Sequence, residues 1–147
     1  MKQILCSLLI AGLPLRHLSL TSPFGYRIHP VTGKYSFHAG IDLRARSDTV
    51  FAVLPGIVEA EGFDPFLGIF VRLRHGEFQT IYGHLSQLFV FKGDTIPPNG
   101  TLGITGSTGR VTGEHLHFEV KCNGRPIDPL AFLLVIIKRI NNNLIIK

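Results

Sequence analysis

Turn-forming residues interrupt this 147-residue chain so often that only its two ends leave room for a long uninterrupted element. Ser22-Pro23, His29-Pro30, Thr32-Gly33, Pro55-Gly56, Asp64-Pro65, Lys92-Gly93-Asp94 and Pro97-Pro98-Asn99-Gly100 each favour turn geometry that a helix or strand interior rejects. Between them lie short runs rich in Val, Ile, Phe and Thr, at 48–53, 56–61, 69–75, 78–84, 101–105 and 115–121. Such residues suit a pleated, half-buried surface, so these runs are read as strands. The stretch 85–91 is the one internal segment with room for a helical turn or two. Many short strands separated by turns predict a mainly β, antiparallel fold, a sandwich or an open barrel. Two runs alternate, 56–61 and 70–75, which puts Val71 and Leu73 on a core face and Arg72 and Arg74 on the other.

The chemistry-bearing residues fall in three glycine-flanked segments: His38-Ala39-Gly40-Ile41-Asp42, Tyr82-Gly83-His84 and His115-Leu116-His117. In a strand, residues i and i+2 share a face, so His115, His117 and Glu119 project together while Leu116, Phe118 and Val120 enter the core. A helix would separate the two histidines by about 200°. The same rule gives Tyr82 and His84 a common face. His38 and Asp42 fit a loop entering a strand, with Gly40 allowing both side chains to reach one ion. A catalytic zinc takes three protein ligands and leaves a fourth place for water. Four histidines and one aspartate supply three ligands and two groups to move protons, the arithmetic of a metallohydrolase. His17 and His75 are read as structural, and so is His29. Ser107, His84 and Asp128 could be written as a hydrolase triad, but no Gly-x-Ser-x-Gly elbow supports one. The loop 103–109 has no Gly-Lys-Ser/Thr, so it is read as a tight glycine loop at a groove rim and not as a phosphate loop.

Composition narrows the classes further. Hydrophobic residues make up 45% and charged residues 17%, a globular composition with enough apolar surface for one core. The net charge is +5, and Lys138, Arg139 and Lys147, with no acid after Asp128, carry three of it; the body holds the remaining two. That body has no basic stripe interleaved with aromatics, so no nucleic-acid partner is expected. Cys6 and Cys122 have no CxxC spacing and are read as unpaired. Lys2 and the apolar run 4–13 resemble either a short signal-like stretch or a first packed segment. The run 130–137 is too short to span a bilayer and is read as an apolar terminal segment. The organisation expected is an N-terminal segment 1–21, a globular domain 22–132 and a basic tail 133–147, with no transmembrane span, a peripheral membrane contact at most, and a monomer.

At these residues the chain resembles the LytM/lysostaphin-type zinc endopeptidases of family M23. The match is carried by Ser22-Pro23-Phe24-Gly25-Tyr26-Arg27, His29-Pro30, His38-Ala39-Gly40-Ile41-Asp42, Tyr82-Gly83-His84-Leu85, Gly106-Ser107-Thr108-Gly109, His115-Leu116-His117-Phe118-Glu119 and Asp128-Pro129, in that order. The resemblance implies a duplicated-hybrid-motif β domain with a substrate groove. It implies a zinc held by His38, Asp42 and His117, with His84 and His115 as the catalytic pair. It implies hydrolysis of stem or cross-bridge peptides of bacterial peptidoglycan, hence a place in the cell envelope, periplasmic or extracellular. The alternative is a non-catalytic peptidoglycan-binding or amidase-activating module of the same fold. Glu119 is a candidate to orient a ligand histidine, Tyr82 a weaker candidate oxyanion donor, and Arg27 is read as structural. The segment 62–68 carries more bulk than the glycine-rich turn usual there.

Overall fold

The computed structural model describes residues 12–145. The strands are β1 (Leu20–Ser22), β2 (Gly25–Ile28), β3 (Tyr35–His38), β4 (Ile41–Arg44), β5 (Thr49–Phe51), β6 (Gly56–Asp64), β7 (Gly68–His75), β8 (Phe78–Leu88), β9 (Thr95–Ile96), β10 (Thr101–Thr105), β11 (His115–Cys122) and β12 (Arg125–Ile127). One helix, α1 (Pro129–Ile145), closes the described chain. The main path runs β1-β4-β11-β8-β7-β6-β9, with β12 folded back on β11 and β10 bridging β5 and the distal part of β8. Every pairing is antiparallel, the sheet is open, and β2–β3 stands apart as its own hairpin.

The alternation read from the sequence sets the core. Val71 and Leu73 are fully buried, as are Leu116, Phe118 and Val120 on β11. They pack with Ile41, Leu43, Leu85 and Leu102, and each such side chain contributes about 1.5–3 kcal/mol by leaving water. On the opposite face of β7, Arg72 Nε donates to Glu59 Oε2 at 2.9 Å.

Two elements differ from expectation. The stretch 85–91 makes no helical turn: β8 continues to Leu88 because β10 pairs with it at Thr105↔Leu85, Ile104↔Gln87 and Gly103↔Leu88. On its other side the register slips, Val71 facing Tyr82 but Ile69 facing Leu85, so three residues of β8 oppose two of β7. His84 sits at this bulge with φ +59. A bulge rotates side chains out of strict alternation, so Tyr82 and His84 do not share a face. Tyr82 is fully buried and its hydroxyl oxygen accepts the Val53 N–H at 3.0 Å. Burial pushes that phenol up to about 12. Tyr82 is therefore a core residue and no oxyanion donor.

The second difference is α1, where the sequence suggests only an apolar run. Asp128 Oδ1 accepts the Leu130 N–H at 2.9 Å and Pro129 takes the first helical position, where its missing N–H costs nothing. Leu133 and Ile136 are fully buried, and Phe132 packs on Phe78 with ring centroids 5.9 Å apart. Capping engages Asp128, and Ser107 is exposed, so no serine triad forms. Among the described residues no helix is long and apolar enough to cross a membrane. The signal-like run lies almost entirely outside the described residues, as does Cys6; Cys122 forms no disulfide.

Candidate metal centre

Strand pairing assembles the site. β11 runs beside β4 with His117 opposite Asp42 and His115 opposite Arg44. Directly opposed residues project from the same face, so Asp42, His115 and His117 converge. The β2–β3 hairpin brings His38 over them from the side, at the register Gly25↔His38. Gly40 serves this approach by having no side chain: a Cβ there would sit 2.9 Å from both His117 Cε1 and Glu119 Cγ and would collide with the Phe118 carbonyl.

Three donor atoms face one point. His38 Nε2 is 3.3 Å from Asp42 Oδ1, His117 Nδ1 is 3.0 Å from the same oxygen, and the two nitrogens are 3.2 Å apart. A tetrahedral zinc with bonds of 2.0–2.1 Å needs ligand atoms about 3.3–3.4 Å apart, so the triangle has the size of a zinc face. The outer ring nitrogens are tied down as such a site requires. His38 Nδ1 donates to the Pro23 carbonyl at 2.8 Å, and His117 Nε2 donates to Glu119 Oε1 at 2.9 Å. These bonds fix the tautomers and leave the inward nitrogens as ligand atoms.

The charges agree. Burial works against ionisation of Asp42, but hydrogen bonds from His115, His117 and His38 hold its carboxyl well below the usual carboxylate range. Burial likewise lowers the pKa of His117, yet hydrogen bonds to Asp42 and Glu119 override it and raise it to about 9. Glu119 stays below its ordinary value despite burial, because His117 lies against it. Two ionised carboxylates, Asp42 and Glu119, therefore flank His117, and a cation can take the place of its inward proton.

His84 and His115 stand beside this triangle, their rings 4.7 Å apart edge to face. Each donates Nδ1–H to a backbone carbonyl, His84 to Thr108 at 2.7 Å and His115 to Gly113 at 2.9 Å. His84 then presents Nε2 as an acceptor toward the groove, whereas His115 Nε2 faces Asp42 Oδ1 as a donor at 3.4 Å. Burial pushes His84 down to about 4, so it is neutral at pH 7.

A groove of about 560 Å³ runs over the site. The hairpin supplies one wall through Arg27, His29 and Val31; Phe66, Leu67 and Arg110 supply the other. The bulky segment shapes that second wall. Asp64 Oδ1 accepts the Phe66 and Leu67 N–H groups at 2.8 and 3.0 Å, and the Leu67 carbonyl accepts the His84 N–H at 2.6 Å. The Arg110 guanidinium lies over the Phe66 ring, 4.4 Å from its centroid. Arg27 reaches Asp42 Oδ2 at 3.8 Å. His29 organises the hairpin turn, its Nδ1 accepting the Val31 and Thr32 N–H groups at 3.1 and 3.2 Å.

Thr108 is the residue whose importance the sequence hides. Its carbonyl holds His84, its hydroxyl donates to the Leu85 carbonyl at 2.6 Å, and its Oγ1 accepts the Ile69 N–H at 2.9 Å. The glycine loop around it was a sequence signal for a rim, though not for this bond. Pro23, Leu67 and Gly113 act through backbone carbonyls, which no residue type announces.

The sequence profile described as peptidase family M23 matches residues 36–129. The chain is 38% identical over 123 residues to the DD-carboxypeptidase/endopeptidase Mpg of Neisseria meningitidis, covering 82% of this chain and 28% of that protein. It is 38% identical over 106 residues to the peptidoglycan DD-endopeptidase ShyA of Vibrio cholerae, covering 71% of this chain and 25% of that one. Among solved structures, a zinc-containing peptidase from Vibrio cholerae superposes with a TM-score of 0.70 at 32% identity, covering 80% of this chain and 37% of that one. The chain thus spans about a quarter of the length of these curated relatives.

Proposed function

The chain belongs to peptidase family M23, and from that premise we propose that it is a zinc endopeptidase cleaving stem or cross-bridge peptides of bacterial peptidoglycan in the cell envelope. The observation that carries this reading is the zinc-sized triangle of His38 Nε2, Asp42 Oδ1 and His117 Nδ1 with two carbonyl-anchored histidines beside it. The relatives named for peptidoglycan endopeptidase activity support the substrate class.

His38, Asp42 and His117 would hold the zinc ion, which would supply Lewis acidity toward a peptide carbonyl and a water molecule. The protein's own groups do the rest. Glu119 and the Pro23 carbonyl lock the two ligand rings in their metal-facing tautomers. His84, neutral and with Nδ1–H committed to Thr108, offers Nε2 to take a proton from the attacking water. His115, oriented by Gly113, donates through the Nε2–H that faces Asp42 Oδ1, and so protonates the leaving amine or steadies the oxyanion. The Phe66–Leu67 wall lines one side of the cleft, and the Leu67 carbonyl holds His84 by its backbone N–H.

The test is mass spectrometry of soluble fragments from purified sacculi incubated with zinc-loaded protein and with a chelated control. New peptide termini in the zinc sample alone are expected. Sacculi of several cross-link types that release nothing, with zinc verified in the protein, would replace this reading by the non-catalytic wall-binding module.

A further inference from the structure

A second cavity, of about 570 Å³, lies at the Arg44 end of β4. Its walls carry Arg16, His17, Arg44 and Arg46, with Ser19 and Asp48. The three arginines are exposed and make no ion pair among the described residues. Asp48, the one acid of the lining, accepts the Arg46 N–H at 2.8 Å through Oδ2, and Glu114 Oε1 accepts the Ser47 N–H at 2.9 Å. Three arginines against one acid leave the cavity lining with a net positive charge that an anion can neutralise.

The register connects this cavity to the metal site. Asp42 and Arg44 are two apart on β4 and share a face; β11 sets His117 against the first and His115 against the second. The face that bears the metal site therefore continues past His115 to Arg44. Two strand residues cover about 6.6 Å, the same length as two residues of an extended substrate. A guanidinium fork matches a carboxylate in a bidentate geometry.

We propose that this cavity is a carboxylate-binding subsite of the peptide groove, where Arg44, Arg46 and Arg16 hold an acidic group borne a few residues from the scissile bond. The proposal rests on the endopeptidase reading and adds to it a preference for acidic peptides. It assigns the basic cluster to substrate selection and not to the chemical step.

The experiment compares synthetic cross-linked stem-peptide dimers that carry free carboxylates with the same dimers carrying carboxamides. Steady-state kinetics on the wild type should favour the acid form about tenfold or more in kcat/KM, expressed in KM. The triple substitution Arg16→Gln, Arg44→Gln, Arg46→Gln should erase that preference and leave kcat unchanged. Arg74→Gln, on the outer face of β7, controls for net charge and should preserve it. Equilibrium binding of both dimers to His115→Ala protein, with and without the triple substitution, reads the same preference without cleavage. Equal handling of acid and amide, or a preference that survives the triple substitution, overturns the subsite while the endopeptidase stands. Absence of cleavage of either dimer would remove the endopeptidase reading, and the binding arm would still decide the subsite. Displacement of the acid dimer by equimolar inorganic phosphate would make the cavity a general anion site and overturn the peptide assignment.

Discussion

His117 divides its two ring nitrogens between an ion and an acid, and that division has measurable consequences. With no metal bound, the hydrogen bonds to Asp42 and Glu119 keep the ring protonated up to about pH 9. Zinc needs Nδ1 bare, so binding near pH 7 should expel close to one proton, and affinity should climb with pH until about 9. Calorimetric titration of zinc in buffers of different ionisation enthalpy measures the proton count; an affinity flat between pH 7 and 9 would contradict it. Glu119→Ala should leave the fold intact by circular dichroism and weaken zinc binding about 10- to 100-fold, because the ring loses the acceptor that fixes its tautomer. At this scale the sequence is highly legible. The spacing of His115, His117 and Glu119 shows their shared face as soon as the segment is read as a strand. Tyr82 misleads, because a spacing rule cannot see the bulge that turns His84 away from it.

Elements position what residues supply, and here Thr108 links three of them. Its carbonyl anchors His84, and its hydroxyl ties β7 to β8 at the bulge. Thr108→Val keeps the shape and removes both hydroxyl bonds. It should cost about 1–3 kcal/mol of stability in urea unfolding and lower kcat more than it raises KM, since the loop whose carbonyl holds His84 loses both of its hydroxyl ties. Gly40→Ala acts at the β4–β11 approach, where its Cβ would press on His117 and Glu119; about 1–3 kcal/mol of destabilisation with weakened zinc binding is expected from overpacking. The long central strands were legible because their apolar residues alternate. The β2–β3 hairpin was not, because its apolar side chains Tyr26, Ile28, Tyr35 and Phe37 face solvent and the turn chemistry around His29 hides the pairing. Helix α1 was missed for the opposite reason: a continuous apolar run shows no period, and the cap at Asp128 is a single bond.

For the molecule as a whole, acid stability and turnover report on different histidines. His75 bridges β7, β8 and the Pro55 carbonyl, with Nδ1 donating at 2.6 Å and Nε2 accepting from Thr80 at 2.8 Å. Burial depresses its pKa below the ordinary 6.5, so the unfolded chain binds the proton first as pH falls. Its stabilising contribution is complete above pH 6.5 and declines below it, with a slope of at most about 1.4 kcal/mol per pH unit. His75→Gln should flatten the fall of unfolding free energy between pH 6.5 and 5 relative to wild type; an unchanged slope would show that His75 titrates alike in both states. The overall antiparallel architecture was legible from turn spacing, whereas the meeting of Asp42 with His115 and His117 was not, since it depends on the β4–β11 register.

The most direct test of the central claim is peptide release from sacculi by wild type, His84→Ala and His115→Ala, each with its zinc content determined by native mass spectrometry. The account predicts one zinc in all three proteins and turnover in the wild type alone, with each variant reduced at least about 100-fold. Sustained cleavage by either zinc-loaded variant would contradict it, because the groove would then perform hydrolysis without one of the two histidines assigned to move its protons.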